Sequence, residues 1–284
     1  MPLHPFPHLT CPLDGAPLVR QGPSWRCPDG HCFDVAAQGY VNLLPVQLKR
    51  SRDPGDSKAM VAARRRFLNS GAYQPLADGV ARALLADLPQ GGLPTCLDGG
   101  CGEGYYLRRL AAVAGDRPLA VLGLDISKWA VQAAAKQDPG PTWVVGSNAR
   151  LPVPDASVDR LLCLFGFPAY GEFARVLRPD GQLLMLDPGP DHLRELREVI
   201  YPRLKPEKPA PPLPPGFRLL GREHFTYTLE VHGQPQIADL LAMTPHLHRA
   251  TPEGRARAAA LEHIDLTVAV NLQRLGRGDS ECAI

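Results

Sequence analysis

T-C-L-D-G-G-C-G-E-G-Y-Y, residues 95–106, governs how the rest of the chain is read. A short apolar run ends in Asp98 and enters a turn with glycine at 99, 100, 102 and 104. Glycine permits positive φ and lets the backbone approach a ligand closely. The spacing predicts a strand, a loop and a helix opening near Gly104. In a doubly wound sheet, ligands sit beyond the carboxyl ends of the strands, at the topological switch point. One strand–helix–strand unit later, A-V-L-G-L-D ends in Asp125. A carboxylate at that tip can accept hydrogen bonds from both hydroxyls of a ribose. Dinucleotide sites share this acid, but they favour G-x-G-x-x-G with a pyrophosphate on the helix N-terminus. Here an acid precedes the glycines. That suits a ligand with an ammonium, a cationic sulfur and no phosphate. The competing reading is a glycine turn kept for packing; the entrance acid, the ribose acid and the surrounding alternation weigh against it.

Outward from this turn, short apolar runs at 95–98, 119–125, 142–146, 160–165 and 182–187 alternate with amphipathic stretches at 104–114, 127–137 and 172–178. Strands alternating with helices predict an α/β fold with a doubly wound, Rossmann-like parallel sheet. Ser147 and Asn148, after the third run, are candidates for the adenine edge, with a plain turn as the alternative. The proline-rich 202–216 predicts a stiff loop, since proline suits neither a helix interior nor a central strand. A strand at 217–231, helices at 237–243 and 252–263, and a last strand at 265–275 are expected to follow. Upstream, Asp56 or Ser57 caps a helix through Met60, Val61, Phe67 and Leu68, stopped by Gly71. A second helix runs over 74–88 with Pro75 in its first turn.

The front of the chain is different. Residues 10–47 are turn-rich, and Cys11, Asp14, Cys27 and His31 have the spacing C-x2-D-x12-C-x3-H. With cysteine at position 14 this would be a structural zinc signature. Carboxylate also ligates zinc, so Asp14 is one candidate for the fourth place and Cys32 another. A metal-free turn module is the alternative, although so small a core usually needs a staple. The expected division is a zinc-ribbon-like module at 1–47, a helical connector at 48–90 and the catalytic domain at 91–284.

Composition narrows the function classes. The 284 residues carry a net charge of only +2, so the whole molecule is no polycation. Residues 1–66 nevertheless hold nine Lys/Arg against five Asp, with the excess in 49–66. Such a local excess attracts phosphates, and Arg50, Arg52, Arg64 and Arg65 are candidate RNA-backbone contacts; a solvated face is the plainer reading. No apolar run reaches the ~18–20 residues that span a bilayer, and the first residues lack a secretion pattern. The seven cysteines form no paired framework, which points to a reducing cytosol.

The glycine turn and its acids resemble the first two motifs of the class I S-adenosylmethionine methyltransferases. The full succession is more specific: C-P-L…C-P-D-G-H-C-F-D, Q-G-Y-V-N-L-L-P-V-Q, K-R-S-R-D-P-G-D-S, A-R-R-R-F-L-N-S-G-A-Y-Q-P-L and L-D-G-G-C-G-E-G-Y-Y, then P-G-P-D-H-L-R-E-L and A-M-T-P. It resembles the 23S rRNA (guanine-N1) methyltransferase family over nearly the whole chain. The resemblance implies a cytoplasmic enzyme that methylates N1 of a guanine in a hairpin loop, with S-adenosylmethionine as donor and a zinc ion in front; relatives confer resistance to certain macrolides. It implies cofactor roles for Asp98, Gly100, Gly102, Gly104 and Asp125, and metal roles for Cys11, Cys27 and His31, with Asp14 in place of the second cysteine. Gly99 replaces an aliphatic residue, and Phe165-Gly166-Phe167-Pro168 stands where the family has Tyr-x-Pro. Phe165 and Phe167 are candidates to stack on the target base, and Asp187 to face the pocket. No residue is singled out as the base. Oligomeric state stays open, a homodimer included. Two rival functions are a small-molecule methyltransferase and a non-catalytic RNA-binding protein of the same fold.

Overall fold

A computed structural model describes residues 3–48, 51–89, 91–204, 206 and 212–278. In the front segment, β1 (His4–Pro5) is followed by a small antiparallel sheet of β2 (Leu9–Thr10), β3 (Pro17–Gln21), β4 (Ser24–Arg26) and β5 (Cys32–Asp34), and then by β6 (Tyr40–Asn42). Helices α1 (Lys58–Asn69) and α2 (Gln74–Leu85) come next. Of the two caps expected for α1, Ser57 is the one used: its hydroxyl accepts from the Met60 N–H at 3.3 Å.

The alternating region folds as β7 (Thr95–Gly99), α3 (Tyr105–Ala114), β8 (Ala120–Asp125), α4 (Lys128–Gln137), β9 (Thr142–Val145), β10 (Val158–Leu164), α5 (Tyr170–Val176) and β11 (Leu177–Pro188). After it come α6 (Arg194–Ile200), β12 (Phe217–His232), α7 (Gln234–Ala242), α8 (His246–Arg249), α9 (Pro252–Ala259) and β13 (His263–Arg277). The strands order as β12-β13-β11-β10-β7-β8-β9-β6. β6 through β11 pair in parallel, whereas β13 and β12 are antiparallel. The order reverses between β7 and β10, so the switch point lies where β7 runs into its glycine turn.

Differences from the sequence expectations are local. α5 ends at Val176 and β11 begins at once, so its strand is longer than the apolar run alone suggested. α9 stops at Ala259. The short α6 and α8 have too few turns to show a clear period. β1 and β6 belong to the large sheet: His4 pairs with Ala120, and Tyr40 with Trp143.

Two cores cover the two faces of this sheet. On one, Phe67, Leu76 and Leu84 of α1–α2 meet Leu107, Val121, Leu162 and Leu186. On the other, Phe6, Leu9, Cys11, Leu18 and Cys27 of the front segment pack with Leu97, Leu124, Val144 and Phe173. The front segment therefore works as part of a covering layer. At the N-terminal ends of the strands, buried Arg160 donates to the carbonyls of Leu84 (3.2 Å), Ala86 (3.1 Å) and Asp87 (2.6 Å) and to that of Asp159 (3.0 Å). It thereby satisfies carbonyls that the C-terminal end of α2 leaves free.

Candidate functional site

The turn after β7 is tied to β8. The N–H groups of Gly100 and Cys101 donate to the Leu124 carbonyl at 2.8 and 3.0 Å. The Gly102 N–H donates to Asp125 Oδ2 at 2.9 Å, and the Ser127 N–H to Asp125 Oδ1 at 2.7 Å. Each oxygen of Asp125 keeps a lone pair for a further donor. Gly100 has φ 104° and nothing within 4 Å of where a Cβ would stand, so the turn presents bare backbone to open space. Gly104 caps α3 at φ 81°, and a Cβ there would meet the Trp143 ring at 2.8 Å.

Asp98 is almost fully buried, and its Oδ1 has no hydrogen-bond partner among the described residues. Burial, reinforced by the Asp125 charge, pushes its pKa up to about 8. A buried acceptor left unpaired is costly unless a ligand supplies the donor. Asn148 repeats the pattern: its Nδ2 donates to the carbonyls of Gly99 (3.1 Å) and Phe167 (3.2 Å), while its Oδ1 is unpaired among the described residues. Ser147 instead turns its hydroxyl onto its own loop, accepting from the Ala149 N–H at 3.2 Å. This donor set fits S-adenosylmethionine: an acid for the ammonium, an acid for the ribose diol and an amide oxygen for an exocyclic amine. The buried Tyr106 hydroxyl, also unpaired among the described residues, sits within charge reach of Asp98.

Beyond β10 and β11 lies an aromatic wall. Phe165 holds φ 52°, a conformation that costs a non-glycine residue energy. Its N–H donates to the Leu186 carbonyl at 2.8 Å, and its ring stacks on His192 at 5.9 Å and 26°. His192 is pushed down to about 4 by burial, so its ring is neutral. Its Nδ1 accepts from the Ala269 N–H at 3.3 Å. Phe167 is 91% exposed. The side chain of the half-buried Asp187 makes no hydrogen bond among the described residues, and burial raises its pKa.

In the front segment, Cys11, Asp14, Cys27 and His31 each aim one ligand atom at a common point, all within 4.8 Å of one another. His31 Nδ1 lies 2.8 Å from Asp14 Oδ2, 3.3 Å from Cys27 Sγ and 3.5 Å from Cys11 Sγ. A tetrahedral zinc with ordinary bond lengths puts such atoms about 3.3–3.8 Å apart. The Ala16 N–H donates to Asp14 Oδ1 at 2.8 Å, which holds the carboxyl well below its usual range and leaves Oδ2 turned to the cluster. The two His31–sulfur separations meet that range and the 2.8 Å contact with Asp14 is shorter than it; with four zinc-type ligand atoms converging, the residues fit zinc. Cys32 is exposed and outside the cluster.

Of the four basic candidates, Arg50 lies outside the described residues. Arg52 and Arg65 are exposed. Arg64 turns the other way, pairing with Asp56 and donating to the Met243 carbonyl at 3.1 Å. The neighbouring Arg66 is bound to Asp239.

Comparisons with known proteins agree with this arrangement. The family described as RlmA, N-terminal, matches residues 9–52, and that described as Methyltransferase domain matches 97–185. A 23S rRNA (guanine(748)-N(1))-methyltransferase of Streptomyces fradiae is 36% identical, with 89% of this chain and 90% of that protein aligned. A protein of Micromonospora griseorubida described as a 23S rRNA (guanine-N(1)-)-methyltransferase is 37% identical over 96% of this chain and 99% of its own. One of Bacillus subtilis (strain 168), described likewise, is 36% identical over 69% and 70%. The chain belongs to the 23S rRNA (guanine-N1) methyltransferase family.

Within that methyltransferase frame, sequence reasoning missed three residues. Tyr106 stood in the quoted turn without a role. His192 lay in P-D-H-L, with nothing in the local pattern to announce its stacking on Phe165. The inward turn of Arg64 did have a signal. It lies three residues after Val61 and three before Phe67, on the stripe that α1 buries.

Proposed function

We propose that this enzyme transfers a methyl group from S-adenosylmethionine to N1 of a guanine in a hairpin loop of 23S ribosomal RNA, in the cytoplasm. The observation that carries the reading is the buried, unpaired oxygen of Asp98 beside a bare glycine turn and a second acid at Asp125. In our assignment Asp98 accepts from the cofactor's ammonium, Asp125 from its ribose, and Asn148 Oδ1 from its adenine amine. When bound, the cofactor supplies an electrophilic methyl. The chain's own contribution is chiefly positioning and water exclusion.

Guanine N1 carries a proton, which must leave as the new bond forms. We assign that proton to Asp187, an unpartnered carboxylate whose burial favours holding it. Phe165 and Phe167 offer ring faces to a base turned out of its loop, as single-stranded RNA commonly stacks on aromatics. Cys11, Asp14, Cys27 and His31 hold zinc. We keep a recognition module at 1–47, a connector at 48–90 and a catalytic domain at 91–284 as a division of roles, with β1 and β6 of the front segment pairing into the large sheet. Arg52 and Arg65 take backbone phosphates.

Incubating the pure protein with labelled S-adenosylmethionine and 23S rRNA tests this directly. A new primer-extension stop at one hairpin-loop guanine is expected. Label transfer to small molecules with none to RNA would establish the metabolite reading instead. Macrolide susceptibility of a deletion strain reads the proposed link to resistance.

A further inference from the structure

Arg64 sits in a run of basic residues that reads as a phosphate footprint, yet α1 carries it into the cofactor end of the molecule. Its Nη1 and Cδ lie 3.8 and 3.9 Å from where a Gly102 Cβ would stand, so the guanidinium rests on the glycine turn. Its partner Asp56 belongs to a strap fixed beside Asp125. The Ser127 hydroxyl donates to the Asp56 carbonyl at 2.7 Å, and a Cβ on Gly55 would stand 2.9 Å from Ile126 and Ser127 atoms. Burial raises the pKa of Asp125 and the Ser127 and Gly102 N–H groups oppose it; the Asp56 charge adds a smaller rise and the Arg64 charge a smaller fall.

The charges on this turn are unbalanced. Asp98, Glu103, Asp125 and Asp56 surround it. Arg108 is committed to Glu103, donating to its side chain at 2.8 Å and to its carbonyl at 2.6 Å. Arg64 is the cation that rests on Gly102, and its one carboxylate partner among the described residues is Asp56. Its guanidinium has five donors, and the two contacts it makes leave others free.

We propose that Arg64 grips the carboxylate of the cofactor's methionine tail, which takes over the place that the Asp56 carboxylate fills on the guanidinium. The inference rests on the cofactor reading above. With Asp98 on the ammonium and Arg64 on the carboxylate, both ends of the zwitterion are matched, and planar guanidinium suits carboxylate in a paired fork. Arg64 thus serves the donor pocket, and Arg65, one position on and exposed, serves the RNA.

Calorimetry with S-adenosylhomocysteine and its decarboxylated analogue tests this. The wild-type protein is expected to bind the decarboxylated ligand about 10- to 100-fold more weakly, the loss typical of a charge-assisted bond. Arg64→Met should weaken S-adenosylhomocysteine by a similar factor and leave the decarboxylated ligand unchanged, with Arg64→Lys between. The salt dependence of RNA binding should stay as it is in Arg64→Met and flatten in Arg65→Met. Equal binding of the two ligands by wild type overturns the proposal without recourse to any variant. An equal loss of both ligands in Arg64→Met overturns it too, since that marks damage to the fold. If wild type binds neither ligand, the cofactor reading itself falls, and Arg64 with it.

Discussion

The two ends of the same strands treat buried charge in opposite ways. At the N-terminal end of β7 and β10, Asp159 accepts from the Thr95 N–H and hydroxyl at 2.8 Å each, and Arg160 donates to four carbonyls. At the C-terminal end, Asp98 and Asn148 each keep a buried oxygen without a partner among the described residues, and the Asp187 carboxylate makes no hydrogen bond there. At the first end Asp159 and Arg160 are satisfied by the fold alone, although the side-chain oxygen of Gln182, the strand neighbour of Arg160, lacks a partner among the described residues. The second is left for something the chain does not contain. Charge that is fully bonded serves the fold; buried charge left open is the candidate place for a ligand, as proposed above.

Substitutions at the two ends should therefore separate activity from stability. The largest effect is expected from Asp187→Asn, which should lower kcat on RNA by about 100- to 10,000-fold, the usual worth of a general base. Wild-type kcat should rise with pH as this raised carboxyl ionises. The variant should lose that limb while S-adenosylhomocysteine binding stays put. A surviving limb would remove Asp187 from the mechanism.

Next comes Arg160→Met, which strands several buried carbonyls and should cost about 3 kcal/mol or more of stability. Denaturant unfolding reads this, and cofactor affinity measured well below the melting point should hold.

Asp98→Asn should do the reverse. Folding raises this carboxyl from 3.8 to about 8, so the native state keeps its proton over a range where the unfolded chain has lost it. Stability from this group is thus present below pH 3.8 and declines as pH climbs towards 8. Asp98→Asn should flatten that decline and melt higher than wild type at pH 8. It should also bind S-adenosylmethionine about 10- to 100-fold more weakly, having lost the charge that meets the ammonium. A variant that melts lower at pH 8 would contradict the comparison.

The smallest shift concerns the metal, which lies away from both ends. Chelation should lower Tm, because Cys11 and Cys27 belong to the core that covers the sheet. Asp14→Cys should tighten zinc by about tenfold or more, thiolate being the softer ligand. Competition with a zinc dye measures it.

How far these features were readable from sequence depends on how local they are. The glycine turn and the acid at Asp125 were readable because four glycines in six positions leave few backbone alternatives. The strands of the alternating region overlap their apolar runs because a strand buried on both faces needs a continuous apolar stretch, with β11 beginning five residues before its run. The pairing of His4 with Ala120 was not, since a two-residue strand has no period and its partner is more than a hundred positions away. The finished end at Arg160 was equally hidden: an arginine in a central strand looks like an exception until α2 arrives over it. The unpaired state of Asp98 is a statement about absent neighbours, which only three dimensions supply.

The shared core under the front segment limits how such proteins can be rearranged. Phe6, Leu9, Leu18 and Val41 share a core with Leu97, Leu122 and Val144, so the front segment and the large sheet must fit each other. A chimaera that exchanges the first 47 residues between relatives must bring matching sheet residues with it, or it leaves an exposed greasy flank. Sequence change in the front segment is therefore expected to proceed by paired changes on both sides of that seam, rather than by wholesale exchange of the leading piece.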